Sequence, residues 1–284
     1  MDRFSSFNPK ATLLFFFAQI AIVILIFNPI LLTVSFVSSC AYKIILNGFK
    51  AIKYITLFVL PIIIFVALFN MVFTHYGMTV LFTVNQINFT FESLFYGLSQ
   101  GLMLTTVLLW FNIYSQQITS EGFISVFGRL TPNLALLFSM SLSFIPKLRE
   151  NAKQIADAQM LININENRIK RSISNFSALL TLTLEQSVET ADSMKARGFG
   201  RNRSVYSKYR FSLNDFILII AELSMFAVLI VYKSLGYLNF IYEPVITFKF
   251  PPILAVIIYA VFSLLPIIID LAENIKWHFL KQKI

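Results

Sequence analysis

Residues of the types that usually carry chemistry are scarce in this chain of 284 residues. Its one cysteine, Cys40, and its two histidines, His75 and His278, lie far apart, without other metal ligands at the usual spacings around them. No Gly-rich loop ending in Lys-Ser or Lys-Thr occurs, and neither a His-Glu-x-x-His nor a Gly-x-Ser-x-Gly motif is present. The sequence therefore predicts a chain that binds no metal ion, no cofactor and no nucleotide of its own.

Cations are the remaining chemical feature, and they are strongly clustered. Twelve of the 23 Lys and Arg residues lie within residues 147–210, whereas residues 54–128 contain none. A guanidinium pairs well with carboxylate and phosphate groups, so this cluster indicates contact with a protein partner or with anionic lipid. Nucleic acid is not expected as a partner, because the placement of the cations already follows a membrane topology rule.

Composition indicates a membrane protein. The chain is 57% hydrophobic and 13% charged, with a mean hydropathy of +0.74, whereas an ordinary soluble domain has about 25% charged residues. Six stretches are long and apolar enough to cross a bilayer. They are residues 11–27, 30–46, 54–73, 94–114, 216–236 and 253–271.

The distribution of cations then predicts the topology. With the N-terminus in the cytoplasm, six spans leave every Lys and Arg inside except Lys233 and Lys249, as the positive-inside rule favours. A seventh apolar run, residues 132–146, is too short for a span and is read as an interfacial or buried helix. We therefore expect an all-α polytopic protein of the cell (plasma or inner) membrane, with about six transmembrane helices and both termini cytoplasmic.

Residues 115–212 form the predicted cytoplasmic domain, between a four-helix membrane region (1–114) and two C-terminal spans with a short tail (213–284). Residues 165–196 predict one long helix with an apolar stripe. The stripe contains Ile173, Phe176, Leu180, Leu184, Val188, Ala191 and Met194. Residues 146–159 predict a second amphipathic helix, and we expect the two helices to pack on each other or to lie against the membrane face.

The end of the long helix is marked by Gly198, a typical C-cap, with Lys195 and Arg197 in the last turn, where the helix dipole favours cations. This segment, 189–200, resembles the second Ala-Arg-Gly coupling motif of the transmembrane (T) component of energy-coupling factor (ECF) transporters, the family of the cobalt transport protein CbiQ. The resemblance extends to about Asp215. It includes Asn8-Pro9-Lys10, Phe69-Asn70, residues 77–82, Thr119-Ser120-Glu121 and Phe144-Ile145-Pro146.

The resemblance implies a non-catalytic subunit of an ABC-type importer for a vitamin or a metal ion. Its partners would be two cytoplasmic ABC ATPases, which would bind ATP and Mg, and a small membrane S component, which would recognise the substrate. Ala196, Arg197 and Gly198 would form one ATPase-coupling motif, with Lys195 as a supporting charge.

The first coupling motif departs from the family pattern. Where the family often has Ala-Arg-Gly, this chain has Leu161, Ile162 and Asn163, so that the expected arginine is replaced by Ile162. Either Ile162 fills an ATPase groove by packing, or Lys153 or Arg168 supplies charge nearby. The sequence leaves both alternatives open.

Other polar and small residues lie inside the predicted spans. Gly97 and Gly101 form a small-xxx-small pattern that serves either internal helix packing or contact with an S component. For Glu222 we expect a hydrogen bond between helices, and for Asp270 an interfacial position. The alternative function is a membrane-embedded enzyme acting on a lipid or prenyl substrate, which would have to use polar residues of the spans. Its candidates are Asn28, Asn70, Asn112 and Glu222.

Overall fold

A computed structural model describes residues 7–74, 77–84, 87–127, 132–162, 167–199, 211–242, 247 and 250–281. The chain divides into two compact units. We call the first, Met1–Thr119 with Tyr209–Ile284, the membrane unit, and the second, Ser120–Lys208, the arm. The division into three functional regions stays a prediction.

The described secondary structure is mainly helical. The membrane unit contains α1 (Pro9–Leu25), α2 (Pro29–Asn47), α3 (Phe49–Tyr54), a π-helical segment (Ile55–Val59), α4 (Leu60–Phe73), strands β1 (Val80–Val84) and β2 (Ile87–Thr90), and α5 (Phe91–Gln117). The arm contains α6 (Ser120–Phe127), α7 (Pro132–Ile162) and α8 (Arg168–Ala196). The membrane unit continues with α9 (Leu213–Ser234) and α10 (Ile253–Lys281).

Within the described residues, five helical segments are long and apolar enough to cross a membrane. They are Pro29–Asn47, Phe49–Phe73, Phe91–Gln117, Leu213–Ser234 and Ile253–Ala272. The sixth predicted span corresponds to α1, an apolar helix of 17 residues. The predicted all-α, polytopic membrane class is confirmed.

Two Asn-Pro pairs determine where α1 and α2 begin. The side chains of Asn8 and Asn28 each accept a hydrogen bond from a backbone N–H two residues later, at 3.1 Å. The proline that follows each asparagine has no N–H to leave unsatisfied in the first turn. The Asn28-Pro29 pair therefore produces the short α1–α2 connection that the sequence predicts.

Strands β1 and β2 form an antiparallel hairpin that the sequence analysis did not predict. A run of β-branched and aromatic residues on both sides of Asn85-Gln86 was the available signal. Buried Glu92, in the first turn of α5, accepts hydrogen bonds from the backbone N–H (3.2 Å) and the hydroxyl (2.7 Å) of Thr79. These bonds join the base of the hairpin to α5.

The core of the membrane unit combines aromatic packing with a small polar cluster. The ring of Phe15 lies 5.9 Å from that of Trp110 and 5.4 Å from that of Phe262. Ser35 accepts hydrogen bonds from Trp110 Nε1 and from Gln19 Nε2, both at 3.0 Å. In lipid, where apolar contact alone drives association weakly, such bonds help to specify which helices pack together.

Helices α1 and α9 run parallel and are joined at both ends. Buried Asp215 accepts from the backbone N–H of Asn8 at 3.0 Å and from that of Ser212 at 2.7 Å. At the other end, Lys233 Nζ donates to the carbonyl oxygen of Leu25. This arrangement holds the chain re-entering from the arm against the first helix.

Three further charged residues in the described part of the membrane unit are buried, and Glu222 among them differs from its expected setting. Lys43, predicted on the cytoplasmic side, lies in α2, is 2% exposed and donates to Asn112 of α5. Glu222 is fully buried, and its two carboxyl oxygens find no hydrogen-bond partner among the described residues, so the expected interhelical bond is absent from them. Asp270 is 6% exposed, and its expected position at the membrane interface stays a prediction. Sequence position alone does not show which helix face is covered by a neighbour.

In the arm, the short apolar run 132–146 and the amphipathic segment after it are one helix, α7, which continues through Pro146. Helix α8 begins at Arg168, after Asn167, while residues 165 and 166 of the predicted helix lie outside the described residues. The helix character of both segments agrees with the periodicity of the sequence.

Candidate functional site

Helix α8 ends in a Schellman motif. The N–H of Phe199 donates to the carbonyl oxygen of Met194 at 3.0 Å, and that of Gly198 donates to Lys195 at 2.9 Å. Gly198 has φ +77°, a left-handed conformation that glycine adopts without strain. The motif satisfies the last carbonyls of the helix and turns the chain sharply after Arg197.

Arg197 is therefore presented at a well-defined helix end. Ala196, Arg197 and Gly198 are all exposed. Lys195 pairs with Asp192 at 3.8 Å, and both side chains are more than two-thirds exposed. Among the residues that the structure describes, no carboxylate pairs with Arg197.

The first predicted motif lies at the end of α7. Leu161 is 81% exposed and the preceding Met160 is 57% exposed. The backbone of Ile162 is helical and ends α7, whereas Asn163 lies outside the described residues. Two candidate supporting cations, Lys153 of α7 and Arg168 of α8, are also exposed.

The two motifs are separated by the length of α8, because α7 ends just before α8 begins. A helix of 29 residues spans about 40 Å at 1.5 Å per residue. Exposed apolar residues accompany each motif, Met160 at the first and Phe199, which is 42% exposed, at the second. Neither residue was predicted from the sequence as a contact, although its position beside a motif was a usable signal.

Helix α8 has two apolar faces, and only one of them is half-buried. Ala178, Leu179 and Leu182 share a face with Gln186, which accepts a hydrogen bond from Asn151 of α7 at 3.4 Å. The opposite face bears the predicted stripe, in which Met194 is half-buried while the larger side chains from Ile173 to Val188 remain exposed, between 45% at Leu180 and 67% at Leu184. Helices α7 and α8 thus contact each other without covering the stripe.

Gly97 and Gly101 lie where α5 contacts α4. A Cβ atom at Gly97 would be 2.7 Å from Cβ of Asn70 and 3.0 Å from Cα of Ala67. A Cβ atom at Gly101 would be 3.0 Å from the carbonyl oxygen of Ile63. Both glycines permit close approach of two helices of the membrane unit, while their role towards an S component stays a prediction.

The polar residues of the spans do not form a common site in the described part of the chain. Asn28 donates to the carbonyl oxygen of Leu238 at 3.3 Å, and Asn70 donates to Gln100 at 2.8 Å. Asn112 accepts from Lys43. Among the described residues, no group of three or more His, Cys, Asp or Glu side chains is arranged to hold a metal ion.

The CbiQ family, described as cobalt transport protein, matches residues 4–207. The chain belongs to this family. The match covers α1 to α5 of the membrane unit and nearly all of the arm, including both candidate motifs. The predicted relationship to the T components of ECF transporters is confirmed.

Curated relatives of this T component are ECF transporter transmembrane proteins called EcfT. The protein from Bacillus subtilis (strain 168) is 28% identical over 210 residues, covering 66% of this chain and 75% of the relative. That from Streptococcus equi subsp. equi (strain 4047) is 26% identical over 230 residues, covering 73% of this chain and 81% of the relative. That from Bacillus selenitireducens is 28% identical over 162 residues, covering 49% of this chain and 60% of the relative.

Proposed function

We propose that this ECF transmembrane component transmits ATP-driven movement from two cytoplasmic ABC ATPases to a substrate-binding S component. The observation that carries the proposal is Arg197, an exposed guanidinium at a Schellman-capped helix end, within the family's Ala-Arg-Gly motif. A planar guanidinium binds a carboxylate through two parallel hydrogen bonds, which fixes orientation as well as position. An ATPase groove that contains a carboxylate could therefore pull and push this helix end.

The length of α8 supports two separate ATPase contacts. The motif at Leu161, Ile162 and Asn163 adjoins one end of α8, and the motif at Ala196, Arg197 and Gly198 forms the other, about 40 Å away. Each motif would then engage one subunit of an ATPase pair. At the first motif, exposed Leu161 and Met160 favour contact by apolar packing, with Lys153 or Arg168 as the charge nearby.

The membrane unit supports the proposed topology, with both termini and the arm in the cytoplasm. Because α1 and α9 run parallel, the chain must cross an odd number of times between the end of α1 and the start of α9. Three span-length segments lie between these helices, which fits an arm on the same side as the N-terminus. The chain binds no cofactor in this proposal, since ATP and Mg belong to the partner ATPases, and the S component selects the vitamin or metal ion.

A membrane enzyme is the less favoured function because its candidate polar residues are used in packing. Asn28, Asn70 and Asn112 each bond to a neighbouring segment of the membrane unit. Glu222 is fully buried on α9. A substrate would find no cluster of reactive groups among these four.

A pull-down of the tagged full-length chain from its native membrane in mild detergent tests the proposal. We expect mass spectrometry to find two P-loop ATPases and a small polytopic membrane protein. The matched control is an unrelated tagged membrane protein of similar size from the same cells. Recovery of neither ATPase above that control would overturn the coupling function.

Substitutions at Ile162 test how the first motif acts. We expect Ile162→Arg to retain ATP-driven uptake, because it restores the family's residue type, and Ile162→Asp to lower it at least several-fold, because a carboxylate would be desolvated in a groove. Uptake is measured in cells that express the complete transporter, with membrane levels of each variant checked by immunoblot. Equal uptake by the two variants would mean that Ile162 contacts no ATPase.

A further inference from the structure

The first half of α8 has a composition unlike that of its second half. Residues 168–184 contain three cations, Arg168, Lys170 and Arg171, and no acidic residue, whereas Glu185, Glu189 and Asp192 all lie beyond them. The first half is therefore a cationic segment, while the second half carries mixed charge.

Exposed apolar side chains lie on one face of the cationic segment. Ile169, Ile173 and Phe176 are 78%, 64% and 61% exposed, and their spacing of four and three residues aligns them along one side of the helix. Arg168 and Lys170 lie on opposite sides of this row, each about 100° around the helix from Ile169. The two cations thus flank the apolar row on both sides.

The start of α8 also borders a recess. Asn167, Arg168, Ile169, Lys170 and Ile173 line an open volume of about 470 Å³. Two cationic and two apolar side chains contribute to this lining. A phospholipid carries the complementary groups, an anionic phosphate next to apolar acyl chains.

We propose that the first half of α8 binds the surface of a bilayer that contains anionic phospholipid, with Arg168 and Lys170 at the phosphates and with Ile169, Ile173 and Phe176 at the acyl boundary. Long cationic side chains that flank an apolar row are suited to this depth, because their stems stay apolar while their ends reach the phosphates. Charge complementarity favours lipid over a protein groove, since the two cations border the apolar row on both sides, where the phosphates of a bilayer surface would lie.

The proposal concerns the end of α8 opposite to Arg197 and does not depend on the ATPase contact of Arg197. Because it places Arg168 at lipid phosphates, it leaves Lys153 as the supporting charge for an ATPase contact at the first motif. It assigns to the arm a second kind of partner, which would hold one end of α8 at the membrane.

Lipid-dependent quenching of a fluorophore tests the proposal in the full-length chain, reconstituted into nanodiscs without ATPases. The fluorophore is attached at Ser172→Cys, beside the apolar row, in a Cys40→Ser background, and the quencher is a spin-labelled phosphatidylcholine. A second label at Thr190→Cys is the matched position, because it lies about five turns further along the same side of α8. We expect quenching at residue 172 to rise as phosphatidylglycerol replaces phosphatidylcholine, and quenching at residue 190 to respond little.

Charge variants distinguish specific attraction from chance proximity. Each cation near an anionic surface changes the ratio of bound to detached helix about fivefold, so Arg168→Gln with Lys170→Gln should lower that ratio about 25-fold. High salt should have a similar effect. Lys147→Gln with Arg149→Gln, which removes two exposed cations of α7, serves as the control and should retain the lipid response. Quenching at residue 172 that ignores phosphatidylglycerol, or equal responses of the two double variants, would overturn the proposal.

Discussion

Replacing Arg197 by Glu is expected to abolish capture of at least one ATPase and to reduce ATP-driven uptake to background. Truncating one member of a hydrogen-bonded charge pair at an interface costs about 2–5 kcal/mol, or about 30-fold to several thousand-fold in affinity. Charge reversal adds repulsion from the carboxylate that the arginine would have bound. Because the Arg197 side chain is exposed, the substitution should leave the arm folded and the chain inserted in the membrane.

Two variants make this result specific to the guanidinium. Arg197→Lys keeps the charge but loses the planar pair of donors, so it should retain an intermediate level of ATPase capture. Arg149→Glu reverses another exposed arginine of the arm, outside either motif, and should capture ATPases like the wild type. ATPase capture by Arg197→Glu equal to that by Arg149→Glu would remove Arg197 from the coupling mechanism.

The substitution Gly97→Val is expected to separate α4 from α5 and to destabilise the membrane unit. Even a single Cβ atom at this position would approach Cβ of Asn70 to 2.7 Å, which is closer than carbon atoms pack. The helices would have to move apart, and the bond from Asn70 to Gln100 would be strained or lost. Overpacking of this kind costs about 1–3 kcal/mol, before the lost hydrogen bond is counted.

Thermal unfolding in detergent, followed by fluorescence-detected size-exclusion chromatography, measures this effect. We expect a clear fall in the midpoint for Gly97→Val and a smaller one for Gly97→Ala. Leu98→Val changes the neighbouring residue, which is 38% exposed, and should leave the midpoint nearly unchanged. If Gly97→Val unfolded at the same midpoint temperature as the wild type, the close approach of α4 and α5 would not be needed for stability.

The lengths of the apolar stretches made most helices of the membrane unit predictable from the sequence. The stretches of about 20 apolar residues correspond to the observed helices, because a bilayer leaves few alternatives for a spanning chain. The hairpin β1–β2 was missed because a short run such as Val80–Val84 carries a weak signal beside long apolar helices. The burial of Lys43 was not predictable because a lysine near a helix end is usually in water, whereas here Asn112 of α5 provides a hydrogen-bond partner.

The arm shows where periodicity stops being informative. The apolar stripe through Ile173, Phe176 and Leu180 was predicted, but which face α7 would cover was not. A second row, with Ala178, Leu179 and Leu182, has the same helical spacing, so the two faces cannot be ranked by pattern alone. Only the packed structure shows that the second row is half-buried and that the stripe remains open.

Helix α8 can also be considered as a lever. It extends over 29 residues, and a tilt of about 10° around its midpoint would displace each end by about 3.5 Å, in opposite directions. If α8 were held at one end, the same tilt would displace the other end by about 7 Å. The point at which α8 is held therefore determines how far an ATPase movement at Arg197 displaces the rest of the helix.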